Sequence, residues 1–176
     1  MVTAAFTAAL DALQGLPLWA AGRAVDLLWW QFGAKVRAPT KRDPDRIAGE
    51  YALHLQCAWR ISGPTGVVVG SQDVQLPADP GTALDSFAWD VPGRSLSDKL
   101  LRGWFDGNAS SPLVVESIAV DRCGGFVLHL GRDFALEVFP HAGAASDEGH
   151  EQWRLLRPGV DVPHFVVGNT GVKDPA

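Results

Sequence analysis

The stretch 50–61, EYALHLQCAWRI, brings together side chains that could do chemistry: His54, Gln56, Cys57 and Arg60. A thiol beside an imidazole could serve as a nucleophile with its base, and the other groups could bind a ligand. Apolar residues, however, recur at every second position, which predicts one long strand with one face in the core. Cys57 then lies on the apolar face as a small buried hydrophobe. His54, Gln56 and Arg60 share the opposite face, which would be solvated, paired across strands, or a surface for a partner.

The five histidines form no metal signature, because no HxH or HxxxH spacing occurs. His129 and Glu137 fall in one predicted hairpin and could meet a third group on a sheet face, or could be surface residues of that hairpin. The glycines of CGGFVLHLGRD follow hairpin turns and so do not predict a phosphate-binding loop. We therefore expect no metal and no cofactor, and an enzyme is the less favoured class.

Composition excludes several other classes. The formal charge is −5 and the basic residues are scattered, so nucleic acid is not an expected partner. A membrane span over 16–32 would carry Arg23 and Asp26 at its centre, and no secretion signal is recognisable. With two cysteines a disulfide framework is not implied. The expectation is a soluble, reduced, cytoplasmic protein whose oligomeric state is open.

The elements that must position these residues follow from periodicity. A helix is predicted at the N-terminus (1–15), where Phe6, Leu10 and Leu13 form one apolar stripe. Residues 18–33 fit either a helix or two strands, 18–23 and 26–33; two strands are favoured, because DLLWWQFG resembles a strand that is apolar on both faces. A second helix begins near Ser95. Further strands are expected at 67–76, 113–121, 126–130, 134–138, 152–156 and 163–167, with a loop at 141–150 and a frayed tail at 168–176.

Strands that follow one another with short connections favour antiparallel pairing. The predicted fold is a single α+β domain, 1–176, with a mainly antiparallel meandering sheet of about eight strands, an N-terminal helix and one middle helix.

Several segments together resemble a family of small bacterial cytoplasmic proteins, some of which are similar to immunity proteins of bacterial toxin systems. These segments are GLPLWAAGRAVDLLWWQFG, EYALHLQCAWRI, LHLGRDFALEVFP, EQWRLLRP and PHFVVG. The resemblance supplies no catalytic motif, and it implies a protein partner such as a toxin. Within the shared segments the residues of interest are His54, Gln56, Trp59, Arg60, Glu137, Trp153, Arg154 and His164.

Three functions remain open. The first is a non-enzymatic protein-binding module of immunity type, with Trp153 and Arg154 as exposed hot spots and an acidic charge that complements a basic partner. The second is a small-ligand binder or enzyme, which requires His54, Arg60, His129 and Glu137 to converge within about 10 Å at one pocket. The third is self-assembly through an exposed strand edge.

Overall fold

The computed structural model describes residues 2–143 and 150–173 as an α+β fold, with one open antiparallel sheet of eleven strands and two α-helices. The fold class and both helices are confirmed. The helices are α1 (Val2–Leu10), continued by the 3-10 turn Asp11–Leu13, and α2 (Leu96–Asn108). The strands are β1 (Pro17–Ala24), β2 (Leu27–Arg37), β3 (Ile47–Leu55), β4 (Ala58–Gly63), β5 (Gly66–Gly70), β6 (Leu113–Val120), β7 (Phe126–Leu130), β8 (Phe134–Phe139), β9 (Glu151–Leu156), β10 (Phe165–Gly168) and β11 (Gly171–Lys173).

The order of the strands in the sheet is β11-β10-β9-β3-β2-β1-β6-β7-β8-β4-β5, so β11 and β5 are its outer strands. Residues 18–33 form the two strands that were favoured, β1 and β2, which pair as a hairpin. Val25 and Asp26 make the turn, and Val25 has a φ of 60°, an unusual conformation for a β-branched residue. β7 and β8 form the predicted hairpin, with Leu130 opposite Phe134.

The single strand predicted over 50–61 is wrong, because β3 ends at Leu55 and β4 begins at Ala58. β3 pairs with β2 and β9, whereas β4 pairs with β8 and β5, and five strands (β2, β1, β6, β7, β8) lie between them in the sheet. The inward alternation nevertheless continues across the break, since Leu55, Cys57 and Trp59 are all buried. Both parts of the sheet therefore face the same core, which is why the sequence reads as one strand.

Two further differences concern short elements. Residues 67–76 divide into the end of β5 and a 3-10 helix, Ser71–Gln75. Within the predicted tail, Gly168 ends β10, and Gly171–Lys173 form β11, which pairs with β10 through Val172 opposite Val167. A three-residue strand carries too little alternation to be recognised in a sequence. Residues 144–149 of the predicted loop and 174–176 of the tail lie outside the described residues.

The two helices pack on different parts of the core. α1 places Phe6 beside Trp153, with ring centroids 6.1 Å apart. α2 begins with a capping box, because the Ser95 hydroxyl accepts the Asp98 N–H and the Asp98 carboxylate accepts the Ser95 N–H. Its Trp104 ring meets Phe134 at 5.6 Å. Neither helix, nor any other in the described residues, has the length and apolar character needed to cross a membrane.

Candidate functional site

The break between β3 and β4 divides the predicted site residues into two groups. His54 on β3 lies opposite Arg154 on β9, and its other charged neighbours are Glu151, Arg46 and His164. The second group, which we call the Arg60 group, consists of Arg60, Ser62, His129 and Glu137 on β4, β7 and β8. The convergence that the ligand-site hypothesis required of His54, Arg60, His129 and Glu137 is therefore absent.

Within the Arg60 group the charges neutralise one another. Arg60 Nη2 donates to Glu137 Oε2 at 2.6 Å, and the Ser62 hydroxyl donates to Glu137 Oε1 at 2.7 Å. The hydrogen bond from Arg60 is the main reason that the pKa of Glu137 is lowered. The Arg60 guanidinium also lies 5.3 Å from the centre of the Phe139 ring. This arrangement is a cross-strand ion pair on a sheet surface, which is one of the roles expected for Arg60.

Trp153 is not a surface residue, and its prediction as an exposed hot spot is wrong. Its side chain is fully buried, and its Nε1 donates to the Gly124 carbonyl at 2.8 Å. Its ring packs against Phe126 and Phe165, with centroids 5.1 Å and 5.6 Å away. The physical reason is register, because Trp153 lies opposite Leu55, whose side chain points into the core.

The remaining predicted residues are on or near the surface. Arg154 is partly exposed and donates two hydrogen bonds to the Glu151 carboxylate, which raise the pKa of Arg154. Gln56 is exposed in the connection after β3, where its backbone N–H donates to the Gln152 carbonyl at 2.8 Å. His164 is exposed before β10.

His54 is a neutral imidazole at neutral pH. Burial, and then the positive charge of Arg154, lower its pKa from 6.5 to about 4. The ring makes no hydrogen bond within the described part of the chain, so it has one N–H to donate and one nitrogen that can accept. It therefore remains available to a ligand.

The outer surface of β1, β2 and β3 forms a concave site beside His54, which we call the Trp groove. Its volume is about 400 Å³, and its lining consists of Trp19, Ala20, Ala24, Leu27, Trp29, Gln31, Arg46, Ile47 and His54. Trp29 lies between Gly22 on β1 and His54 on β3 in the strand register. Its ring covers Gly22, where an added Cβ would overlap the indole. A residue without a side chain is therefore needed to seat this wall of the groove.

Trp19 is the other wall. It lies at the register shift between Leu18 and Ala20, and Lys35 Nζ sits 4.8 Å from the centre of its ring. The same indole lines two adjoining depressions of about 370 Å³ and 530 Å³ that extend to α2. Trp19 thus lies at the middle of a longer concave surface.

Polar side chains in the lining of the groove can donate hydrogen bonds. The Arg46 guanidinium has no hydrogen bond or ion pair within the described residues. Gln31 is buried, and its Oε1 accepts the Gly49 N–H, which leaves its amide hydrogens to donate. Among the described residues that line the groove none is acidic. Across residues 2–143 and 150–173 no three His, Cys, Asp or Glu side chains are grouped so as to hold a metal.

The sequence reasoning did not select Trp19, Trp29, Arg46 or Ile47. The sequence does indicate Trp29. A strand that is apolar on both faces must expose the apolar residues of one face when only the other face packs on the core. Comparisons with protein-family models, with curated proteins and with solved structures find no match to this chain. The site is therefore interpreted from its own geometry.

Proposed function

We propose that the chain is a non-enzymatic protein-binding module and that its partner binds over the Trp groove. The observation that carries the proposal is the pair of partly exposed indoles, Trp19 and Trp29, beside the Arg46 guanidinium, which has no partner in the part of the chain that the structure describes. Trp and Arg are the residue types that contribute most to interface hot spots. Ile47 and Val25 add apolar surface nearby, with 52% and 48% of their areas exposed.

Protonation states favour binding over catalysis. Burial raises the pKa of the Cys57 thiol to about 12, so this cysteine is not a thiolate nucleophile at neutral pH. Arg60 and Glu137 are committed to each other. His54 is uncharged and makes no hydrogen bond to an activating carboxylate in the described chain, as a general base of the usual triad type would.

The resemblance to immunity proteins adds a specific partner to this proposal. In that role the chain acts in the cytoplasm and binds a toxin, which it keeps inactive. The net charge of −5 favours the approach of a basic protein at long range.

The test is recovery of the partner from the cell that encodes the chain, using tagged wild type and two matched double variants. Trp29→Ala with Arg46→Ala removes one aromatic ring and one arginine from the Trp groove. Phe139→Ala with Arg60→Ala removes the same two kinds of side chain from the other part of the sheet. We expect wild type and the second variant to retain a stoichiometric partner, and the groove variant to bind at least about 30-fold more weakly, which corresponds to the loss of one hot spot.

Recovery of the partner by the groove variant at wild-type yield would contradict the proposal, as would the absence of any stoichiometric partner. The immunity role has its own readout. The partner expressed alone should arrest growth, and wild type but not the groove variant should restore it. If the partner expressed alone leaves growth unchanged, the immunity role is refuted, but the proposal of a protein-binding module is retained.

A further inference from the structure

We infer that the partner is anchored in the Trp groove by a carboxylate that it carries next to an apolar side chain. This inference rests on the proposed function and names the chemistry that the groove recognises. The carboxylate could be a C-terminus or the side chain of Asp or Glu, because the groups that would bind it are the same.

The donors in the groove require an acceptor. Arg46 offers up to five N–H groups in a planar fork, the Gln31 amide offers more, and His54 can add one. A purely apolar anchor would cover these groups without pairing them, which costs about 1–3 kcal/mol for each unsatisfied donor. A carboxylate satisfies them and matches the guanidinium in two parallel hydrogen bonds.

The charge of the groove also favours an anionic anchor. Arg46 is a cation with no ion-pair partner in the described residues, and the groove has no acidic lining, so a cationic anchor would be repelled. A cation stacked on an indole is also disfavoured at Trp19, where Lys35 already occupies the ring. Glu151 is the acid whose charge acts on His54, and both of its oxygens accept from Arg154. Its repulsion of an incoming carboxylate is therefore largely cancelled.

The remaining lining selects the apolar part of the anchor. Two indoles and the side chains of Leu27 and Ile47 surround the donors, and the volume of about 400 Å³ accepts one or two side chains. The acidic charge of the whole chain does not oppose this contact, because a close ion pair acts within a few ångströms while net charge acts on the approach.

The test is a ¹H–¹⁵N NMR titration of the purified chain with two matched pairs of probes. N-acetyl-phenylalanine and N-acetyl-phenylalaninamide differ only in a terminal carboxylate. Ac-Leu-Glu-NH₂ and Ac-Leu-Gln-NH₂ differ only in a side-chain carboxylate. We expect the indole N–H signals of Trp19 and Trp29 to shift, with the acid of at least one pair binding about tenfold more tightly than its amide. The pair with the larger preference identifies the source of the carboxylate.

Arg46→Gln should reduce that preference to less than about twofold, and the matched Arg60→Gln should leave it intact. Equal binding of acid and amide, a preference that survives Arg46→Gln, or no shift at about 20 mM probe would each overturn the inference. The titration needs no partner, so its failure is separate from that of the proposed function. A carboxylate preference without any captured protein supports the anchor chemistry and overturns the protein partner, leaving a small-molecule site.

Discussion

Arg23 and Asp98 form a buried ion pair that ties β1 to the start of α2, and its removal should destabilise the fold strongly. Arg23 Nε donates to Asp98 Oδ1 at 2.9 Å and its Nη2 donates to Oδ2 at 2.8 Å. Arg23 Nη1 also donates to the Val25 carbonyl at 2.9 Å, and Nη2 donates to the Val91 carbonyl at 2.8 Å. The exposed fractions of the Arg23 and Asp98 side chains are 1% and 11%. Loss of either charge therefore leaves the other in a largely dry site.

The magnitude follows from that burial. Breaking one side of a buried pair typically costs about 3–5 kcal/mol, whereas replacing both partners costs far less than the sum. We expect Arg23→Met and Asp98→Asn each to lower the free energy of unfolding by about 3 kcal/mol, and the double variant to lose about 2 kcal/mol less than their sum. For a chain of this size, 3 kcal/mol corresponds to a Tm lower by about 6–12 °C.

Urea denaturation followed by tryptophan fluorescence measures these differences, with Ser95→Ala as the control for loss of the helix cap alone, worth about 1 kcal/mol. Burial acts to raise the pKa of Asp98, but hydrogen bonds from Arg23 and Ser95 outweigh it, and the pKa is lowered. The stabilisation by the carboxylate is therefore complete above the unfolded pKa of about 3.9 and is lost as pH falls through the lower folded value. Single variants that lose less than about 1 kcal/mol, or a double variant that equals their sum, would refute the reasoning.

Two further predictions concern local features. Val25→Gly should raise the free energy of unfolding by about 1 kcal/mol in thermal denaturation, because φ at this position is 60°. The control Val114→Gly, in an ordinary strand conformation, should lower it. A loss of stability at position 25 would show that the turn is unstrained. Since the pKa of His54 is about 4 when folded and 6.5 otherwise, its contribution to stability is complete above pH 6.5 and is lost as pH falls towards 4. Screening by solvent at a half-buried ring reduces this loss of stability to about 1–2 kcal/mol. His54→Gln should remove that part of the pH dependence of the free energy of unfolding, measured by urea titrations. Identical pH profiles for wild type and variant would contradict the prediction.

The break between β3 and β4 at Gln56 shows which features of a strand hydrophobic periodicity can predict and which it cannot. Alternation correctly assigned Cys57 and Trp59 to the buried face, because burial has a period of two residues along any strand. It carries no information about which strand lies alongside. β3 and β4 bury side chains in the same core from different parts of the sheet, and the rings of Trp30 and Trp59 meet there at 5.7 Å. Pairing depends on contacts distant in sequence, so the two groups of polar residues could not be separated in advance.

The candidate site was harder to predict than the fold, because its residues meet across three strands. Pairing of β1, β2 and β3 aligns Trp29 with Gly22 and His54, which are 7 and 25 positions away in the chain. Alternation alone is enough to separate Trp153 from Arg154. The two are adjacent in a strand and point to opposite faces, so only one of them can be exposed.

The same rule distinguishes the rings that hold the fold from those offered to a partner. Trp29 and Trp30 are neighbours in β2; Trp30 is fully buried, whereas Trp29 lies outside, over Gly22. Burial of Trp30 stabilises the core whether or not a partner exists. The outward Trp29 leaves part of its area exposed in the isolated chain, and its position over β1 requires a glycine at position 22. A large ring kept partly exposed beside an arginine with no partner among the described residues is typical of a binding surface. This contrast within one strand is the reason for our proposal that a partner binds at the Trp groove.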